Sequence, residues 1–189
     1  MTHHNQHIPK RIAFIGFMGT GKSTVGKEIA HILGYEFIDI DEQLKNQEGL
    51  SISEIFHRSG EIYFREIEKV YLQGVIKKTG IVLSCGGGII INKQNRELLR
   101  QTSYVVWLQN SIETSIARCM DSDRPLLNVN GSIEEVQKLL DQRLILYRTT
   151  ANLTIHTDNR SVMEVVEQVY ATITSLTDLN WTNCNSIGL

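Results

Sequence analysis

Gly16-Phe17-Met18-Gly19-Thr20-Gly21-Lys22-Ser23 has the spacing G-x-x-x-x-G-K-[ST]. The apolar run Ile12-Ala13-Phe14-Ile15 precedes it and reads as a buried strand, and Lys22 to Leu33 reads as a helix. Strand, glycine-rich turn and helix in that order are the context this motif needs. Glycines let backbone N–H groups turn inward around phosphate oxygens, and the helix N-terminus adds the positive end of its dipole. Lys22 is then expected to reach the β- and γ-phosphates of a nucleoside triphosphate, and Ser23 to ligate Mg²⁺. A plain glycine-rich turn is the bland alternative, and the two flanks disfavour it.

Outward from this loop, strand-like runs alternate with helical stretches. Glu36 to Ile40, Ile81 to Leu83, Tyr104 to Leu108 and Leu153 to Ile155 read as further strands. Ser51 to His57, Glu61 to Lys78, Ile112 to Met120, Ile133 to Arg148 and Met163 to Thr172 read as helices. This alternation predicts an α/β fold, a five-stranded parallel sheet with helices on both faces. Right-handed crossovers align the carboxyl ends of the strands along one edge, where ligands of open α/β sheets bind. Chemistry is therefore expected after each strand.

The chain has 189 residues, long enough to bury a core without disulfide or metal staples. Hydrophobic residues at 41% and charged residues at 21% exclude wholesale disorder. A net charge of −2 offers no basic surface for nucleic acid. Cys85, Cys119 and Cys184 are widely spaced, which argues for reduced thiols in the cytoplasm and against a zinc site. No apolar run approaches the ~20 residues of a membrane span. One domain is expected over residues 1–189, with residues 1–10 as a disordered polar tail (His3, His4 and His7 included) and 176–189 as a frayed extension.

The phosphate loop alone does not separate GTPases, motor ATPases and small-molecule kinases. The chain lacks the N-K-x-D guanine motif, and the third strand ends in Ser84-Cys85-Gly86 where a Walker-B Asp is otherwise found. Asp39 and Asp41 end the second strand, and period-two geometry puts them on one side. There they could hold a magnesium-bound water and accept a hydroxyl proton, or Asp41 could cap the following helix. Arg65 and Glu68 share a helix face, as a surface ion pair or as part of a site. Gly86-Gly87-Gly88 permits close approach to a ligand, or makes a tight turn. Arg143 and Arg148 lie on the last long helix. Asp121 to Gly131, polar and breaker-rich, reads either as a mobile lid carrying Arg124 to a transferring phosphoryl group or as a surface loop.

Taken together, the segments resemble a shikimate kinase from about Arg11 to Arg160. They are G-F-M-G-T-G-K-S-T from Gly16, F-I-D-I-D from Phe37, G-E-I-Y-F-R-E-I-E-K from Gly60, L-S-C-G-G-G from Leu83, R-P-L-L from Arg124 and R-L-I-L-Y from Arg143. The resemblance implies the three-layer αβα P-loop kinase fold, a substrate-binding region over about 39–75 and a lid over about 121–131. It implies that Gly19, Thr20, Gly21, Lys22, Ser23 and Thr24 hold ATP, with Ser23 and Asp39 toward Mg²⁺. Asp41 would contact the shikimate hydroxyls as the candidate base. Arg65 and Arg143 would bind the carboxylate, Glu68 would orient Arg65, and Gly86, Gly87 and Gly88 would lie against the substrate. Arg124 would act on the phosphates, while Arg118 and Arg160 would lie at the adenine. Lys22, Asp41 and Arg124 would be the catalytic set. The partners implied are ATP and shikimate, met by a cytoplasmic monomer, with no nucleic acid or membrane.

Two arginines with a hydroxyl-seeking Asp suit a small carboxylated polyol better than a nucleotide. A gluconate-type sugar-acid kinase and a P-loop module without catalysis are the alternatives. Ile145 stands where the family often has Pro, and residues 175–189 match no motif.

Overall fold

Short β-branched and aromatic runs, apolar on both faces, alternate with amphipathic segments that end in glycine or a capping residue. In the computed structural model, which describes residues 8–119 and 133–176, these become five strands and seven α-helices. In chain order they are β1 Arg11–Ile15, α1 Lys22–Leu33, β2 Glu36–Asp39, α2 Ile40–Glu48, α3 Ile52–Val75 and β3 Ile81–Ser84. After a 3-10 turn at Ile89–Ile91 come α4 Lys93–Thr102, β4 Tyr104–Gln109, α5 Ile112–Cys119, α6 Ile133–Thr150, β5 Leu153–His156 and α7 Val162–Thr174. Residues 1–7 and 177–189 of the expected tails, Cys184 among them, and the expected lid with Arg124 lie outside the described residues.

The sheet is parallel throughout, in the order β2-β3-β1-β4-β5. Side-chain alternation splits the core into two layers. Ile12 and Phe14 pack with Val25 and Ile29 of α1 and Val165 and Val169 of α7. Ala13 and Ile15 point the other way, into a cluster with Leu44, Ile55, Leu72, Leu99 and Tyr147. The result is a three-layer αβα fold, as expected. Phe14 lies opposite Ser84, and Ser84 opposite Asp39, so β1, β3 and β2 reach their carboxyl ends level with one another.

The second strand stops one residue short of expectation. Asp39 is the N-cap of α2, its carboxylate accepting from the Glu42 N–H at 3.3 Å, and Ile40 is already helical. Asp39 and Asp41 therefore do not share a strand face. Asp41 sits in the first turn of α2, where the dipole favours a carboxylate. The two helices expected at 51–57 and 61–78 follow one another directly within α3, which opens with a capping box of Ser51 and Glu54. It is broken at Gly60, whose φ of 80° and ψ of 168° no side chain-bearing residue adopts readily. Helix α4, capped by Asn92, is an element that the reading of the sequence did not include. Among the described residues, no helix is long and apolar enough to cross a membrane.

Candidate active site

The phosphate loop joins β1 to α1 at the carboxyl edge of the sheet. Helices α2, α3, α4 and α7 each carry a side-chain N-cap, but α1 begins at Gly21, which has φ 89° and no side chain to offer. Its first N–H groups thus have no side-chain cap, an arrangement suited to an anion. Lys22 is buried, and its Nζ donates to the carbonyls of Gly16 at 3.0 Å and Phe17 at 2.8 Å. The Thr20 hydroxyl closes the loop by donating to the same Phe17 carbonyl at 2.9 Å.

Ser23 meets the ends of two strands. Its hydroxyl donates to Asp39 Oδ2 at 2.6 Å and lies 3.1 Å from the Ser84 hydroxyl. A hydroxyl and a carboxylate beside the phosphate loop fit Mg²⁺. That ion is held by one or two protein oxygens with waters and phosphates, not by an all-protein cage. No cluster of three or more His, Cys, Asp or Glu that could hold a metal ion occurs among the described residues.

One cavity of about 350 Å³ runs from this junction to the expected substrate wall. Its lining includes Lys22, Ser23, Asp39, Asp41, Arg65, Glu68, Gly86, Gly87, Gly88 and Arg143. Helix α3 supplies Arg65, whose Nη1 donates to Glu68 Oε2 at 2.9 Å. The guanidinium rests against the rings of Phe64 and Phe56, at 5.1 and 5.9 Å from their centroids. It also lies over Gly88, where any Cβ would overlap it. Arg143, on α6, is 5% exposed and donates weakly to the Gly87 carbonyl at 3.4 Å. Tyr147, one turn on, fixes that carbonyl with a 2.6 Å hydrogen bond and stacks on Trp107.

The electrostatics of this wall follow from burial. Glu68 is fully buried, and its Oε1 accepts no hydrogen bond within the structure described. Desolvation raises its pKa to about 7; Arg65 opposes the shift and the Asp41 charge adds to it. Asp41 Oδ1 and Glu68 Oε1 converge on Gly86, at 2.6 and 3.0 Å from where a Cβ would stand. Desolvation lowers Arg143 from its ordinary value, the Tyr147 hydroxyl working against this and the Arg65 charge with it. Burial pushes the thiol of Cys85 up, away from the thiolate form.

The adenine-side residues divide. Arg118 lies beside the phosphate loop, donating to the Gly19 carbonyl at 3.3 Å and to the Thr157 carbonyl at 3.2 Å. Arg160 donates to the carbonyls of His156 and Glu164 and to the Gln168 side chain. Thr24 is an exposed residue in the first turn of α1, and Arg148 is exposed on α6. Ile145 is exposed and α6 continues through it, leaving Arg143 in place. Sequence reasoning missed Ser84, Phe56, Phe64, Tyr147 and Glu61. Tyr147 at i+4 from Arg143 and Glu61 at i−4 from Arg65 were within reach of helical spacing; the two phenylalanines read as ordinary core.

Comparison with known proteins gives a consistent result. A family model described as shikimate kinase matches residues 18–174. The shikimate kinase of Sulfurihydrogenibium sp. (strain YO3AOP1) is 40% identical over 165 residues, covering 87% of this chain and 98% of that protein. The shikimate kinase of Geobacter sulfurreducens is 42% identical over 161 residues, covering 85% and 88%. Among solved structures, shikimate kinase from Acinetobacter baumannii in complex with shikimate aligns with a TM-score of 0.85 and 36% identity, over 90% of this chain and 95% of that one.

Proposed function

The chain belongs to the shikimate kinase family, and on that premise we propose that it transfers the γ-phosphate of ATP to the 3-hydroxyl of shikimate. The products are shikimate 3-phosphate and ADP, on the route to aromatic amino acids. The observation that carries this reading is the single cavity that joins Lys22 and Ser23 to Asp41, Arg65 and Arg143.

In this reading the α1 N-terminus and Lys22 cradle the β- and γ-phosphates. Ser23 and Asp39 hold Mg²⁺, which supplies charge neutralisation on the phosphate oxygens. Arg143 and Arg65 take the substrate carboxylate, and Glu68 orients Arg65. Asp41 faces the ring hydroxyls and accepts the proton of the attacking one. Little covalent work falls to the protein, so catalysis is mostly positioning and charge stabilisation. Arg124, outside the described residues, acts on the γ-phosphate, and Arg118 lies at the adenine. The protein works in the cytoplasm as a monomer on two small molecules.

The test is coupled ADP release with shikimate, gluconate and nucleoside monophosphates as acceptors, with Lys22→Met as the inactive control. Turnover with shikimate alone is expected. Turnover with gluconate in its place, or none with any acceptor, sinks the proposal.

A further inference from the structure

Arg65 already carries two carboxylates. Glu61 Oε1 accepts from both Nε, at 3.2 Å, and Nη2, at 3.1 Å, while Glu68 Oε2 accepts from Nη1. Nε and Nη2 form the side-on fork of a guanidinium, the edge that matches a carboxylate most closely. Phe56, Phe64 and Gly88 hem the group in, so it cannot readily turn another edge toward a ligand.

An arriving carboxylate would add a further negative charge to a guanidinium already bonded to two carboxyl groups, with Arg143 as the second cation of the wall. Like charges at this range are costly in a partly buried site. One carboxylate has to yield, and the two present differ in their freedom to do so. The Glu68 side chain is 0% exposed, and that of Glu61 is 56% exposed. An i,i+4 partner that is itself half exposed is held less firmly than a buried one. Glu61 also directly follows the break at Gly60. With Arg65, Arg143 and Ile62 it lines a second, outer cavity of about 630 Å³ that leaves its side chain room to swing.

We propose that Glu61 is an exchangeable stand-in for the substrate carboxylate, holding the side-on fork of Arg65 until the substrate replaces it like for like. The inference rests on the carboxylate role given above to Arg65 and Arg143. Glu61 is then a specificity-determining, positioning residue. A neutral polyol gains nothing by displacing it, whereas a carboxylate restores every bond that it breaks.

The experiment measures dissociation constants for shikimate, its neutral amide and ADP by calorimetry, on the wild type, Glu61→Gln and Arg65→Lys. Glu61→Gln is expected to bind shikimate about two- to five-fold more tightly, the scale of one exposed ion pair. Its affinities for the amide and for ADP should stay as in the wild type. A purely structural Glu61 would not separate shikimate from its amide. Equal or weaker shikimate binding by Glu61→Gln, or the same gain for the amide, overturns the exchange. If Arg65→Lys binds shikimate as well as the wild type does, the carboxylate site itself is misassigned and the exchange falls with it. Weaker binding by Arg65→Lys with no gain in Glu61→Gln removes the exchange alone.

Discussion

The hydroxyl of Ser23, in the first turn of α1, donates to the carboxylate of Asp39, the last residue of β2, at 2.6 Å. The phosphate loop and the second strand thus meet at one pair of oxygens. Asp39→Asn retains the N-cap of α2, because Asn caps as well as Asp, but removes the charge. The Mg²⁺ concentration giving half-maximal activity should rise roughly 10- to 100-fold, the usual effect of losing a group close around a metal. A magnesium titration of ADP release checks this, and an unchanged midpoint would detach Asp39 from the metal.

Asp41→Asn preserves shape and loses the acceptor for a proton. General-base assistance is typically worth ~10²–10⁴-fold, so kcat should drop by at least about the lower figure. Steady-state kinetics at saturating ATP decide the matter. A change confined to the Michaelis constant for shikimate would leave Asp41 as a ring-binding group only.

Gly88 has φ −101°, a conformation alanine shares, so Gly88→Ala carries no backbone strain. The added methyl would nevertheless occupy the space of the Arg65 guanidinium. Arg65 has to leave its place between Glu61 and Glu68. The Michaelis constant for shikimate is expected to rise ~10-fold or more, in line with losing a charge-assisted contact of ~1.5–3 kcal/mol, while that for ATP stays within about two-fold. Normal shikimate kinetics in this variant would show that the seat of Arg65 is immaterial.

Burial raises Glu68 from 4.5 to about 7, against the pull of Arg65 and with the help of Asp41. The native state therefore holds this proton more tightly than the unfolded chain does. The resulting stabilisation is complete below about pH 4.5 and is lost as pH rises to about 7. Glu68→Gln has no such proton. The Tm of the wild type relative to Glu68→Gln should accordingly fall between pH 4.5 and 7 and level off above. Paired thermal melts across that range test it, and a constant difference would mean that Glu68 is ionised throughout.

The sheet and its ligand edge were legible because five apolar runs each sit just before a polar or glycine-rich turn. Ser23 beside Lys22 follows from the loop motif, and Arg65 facing Glu68 from helical spacing. Asp41 was misread in its geometry. Alternation of Asp and Ile over Phe37 to Asp41 imitates a strand, and only the capping bond from Asp39 to Glu42 ends it. The approach of Asp41 to Glu68 at Gly86 joins elements far apart in sequence, which no local pattern encodes. Arg160 makes contacts that no local pattern encodes either: three of its N–H donors go to His156, Glu164 and Gln168.

The level alignment of Phe14, Ser84 and Asp39 makes the nucleotide half of the site a ratchet. A residue's position along a strand changes only in steps of ~3.3 Å, and each step turns its side chain to the opposite face. Losing one residue from β3 would bring Cys85 or Leu83 to the level of Ser84, and neither offers a hydroxyl to Ser23. The distance from Ser23 in the phosphate loop to Ser84 and Asp39 thus admits no gradual drift. Arg65 and Arg143 stand on helices, where small rotations and shifts move a guanidinium by fractions of an ångström. Fine adjustment of this wall is thereby left to α3 and α6, while Ser84 and Asp39 shift only in whole steps of the sheet register.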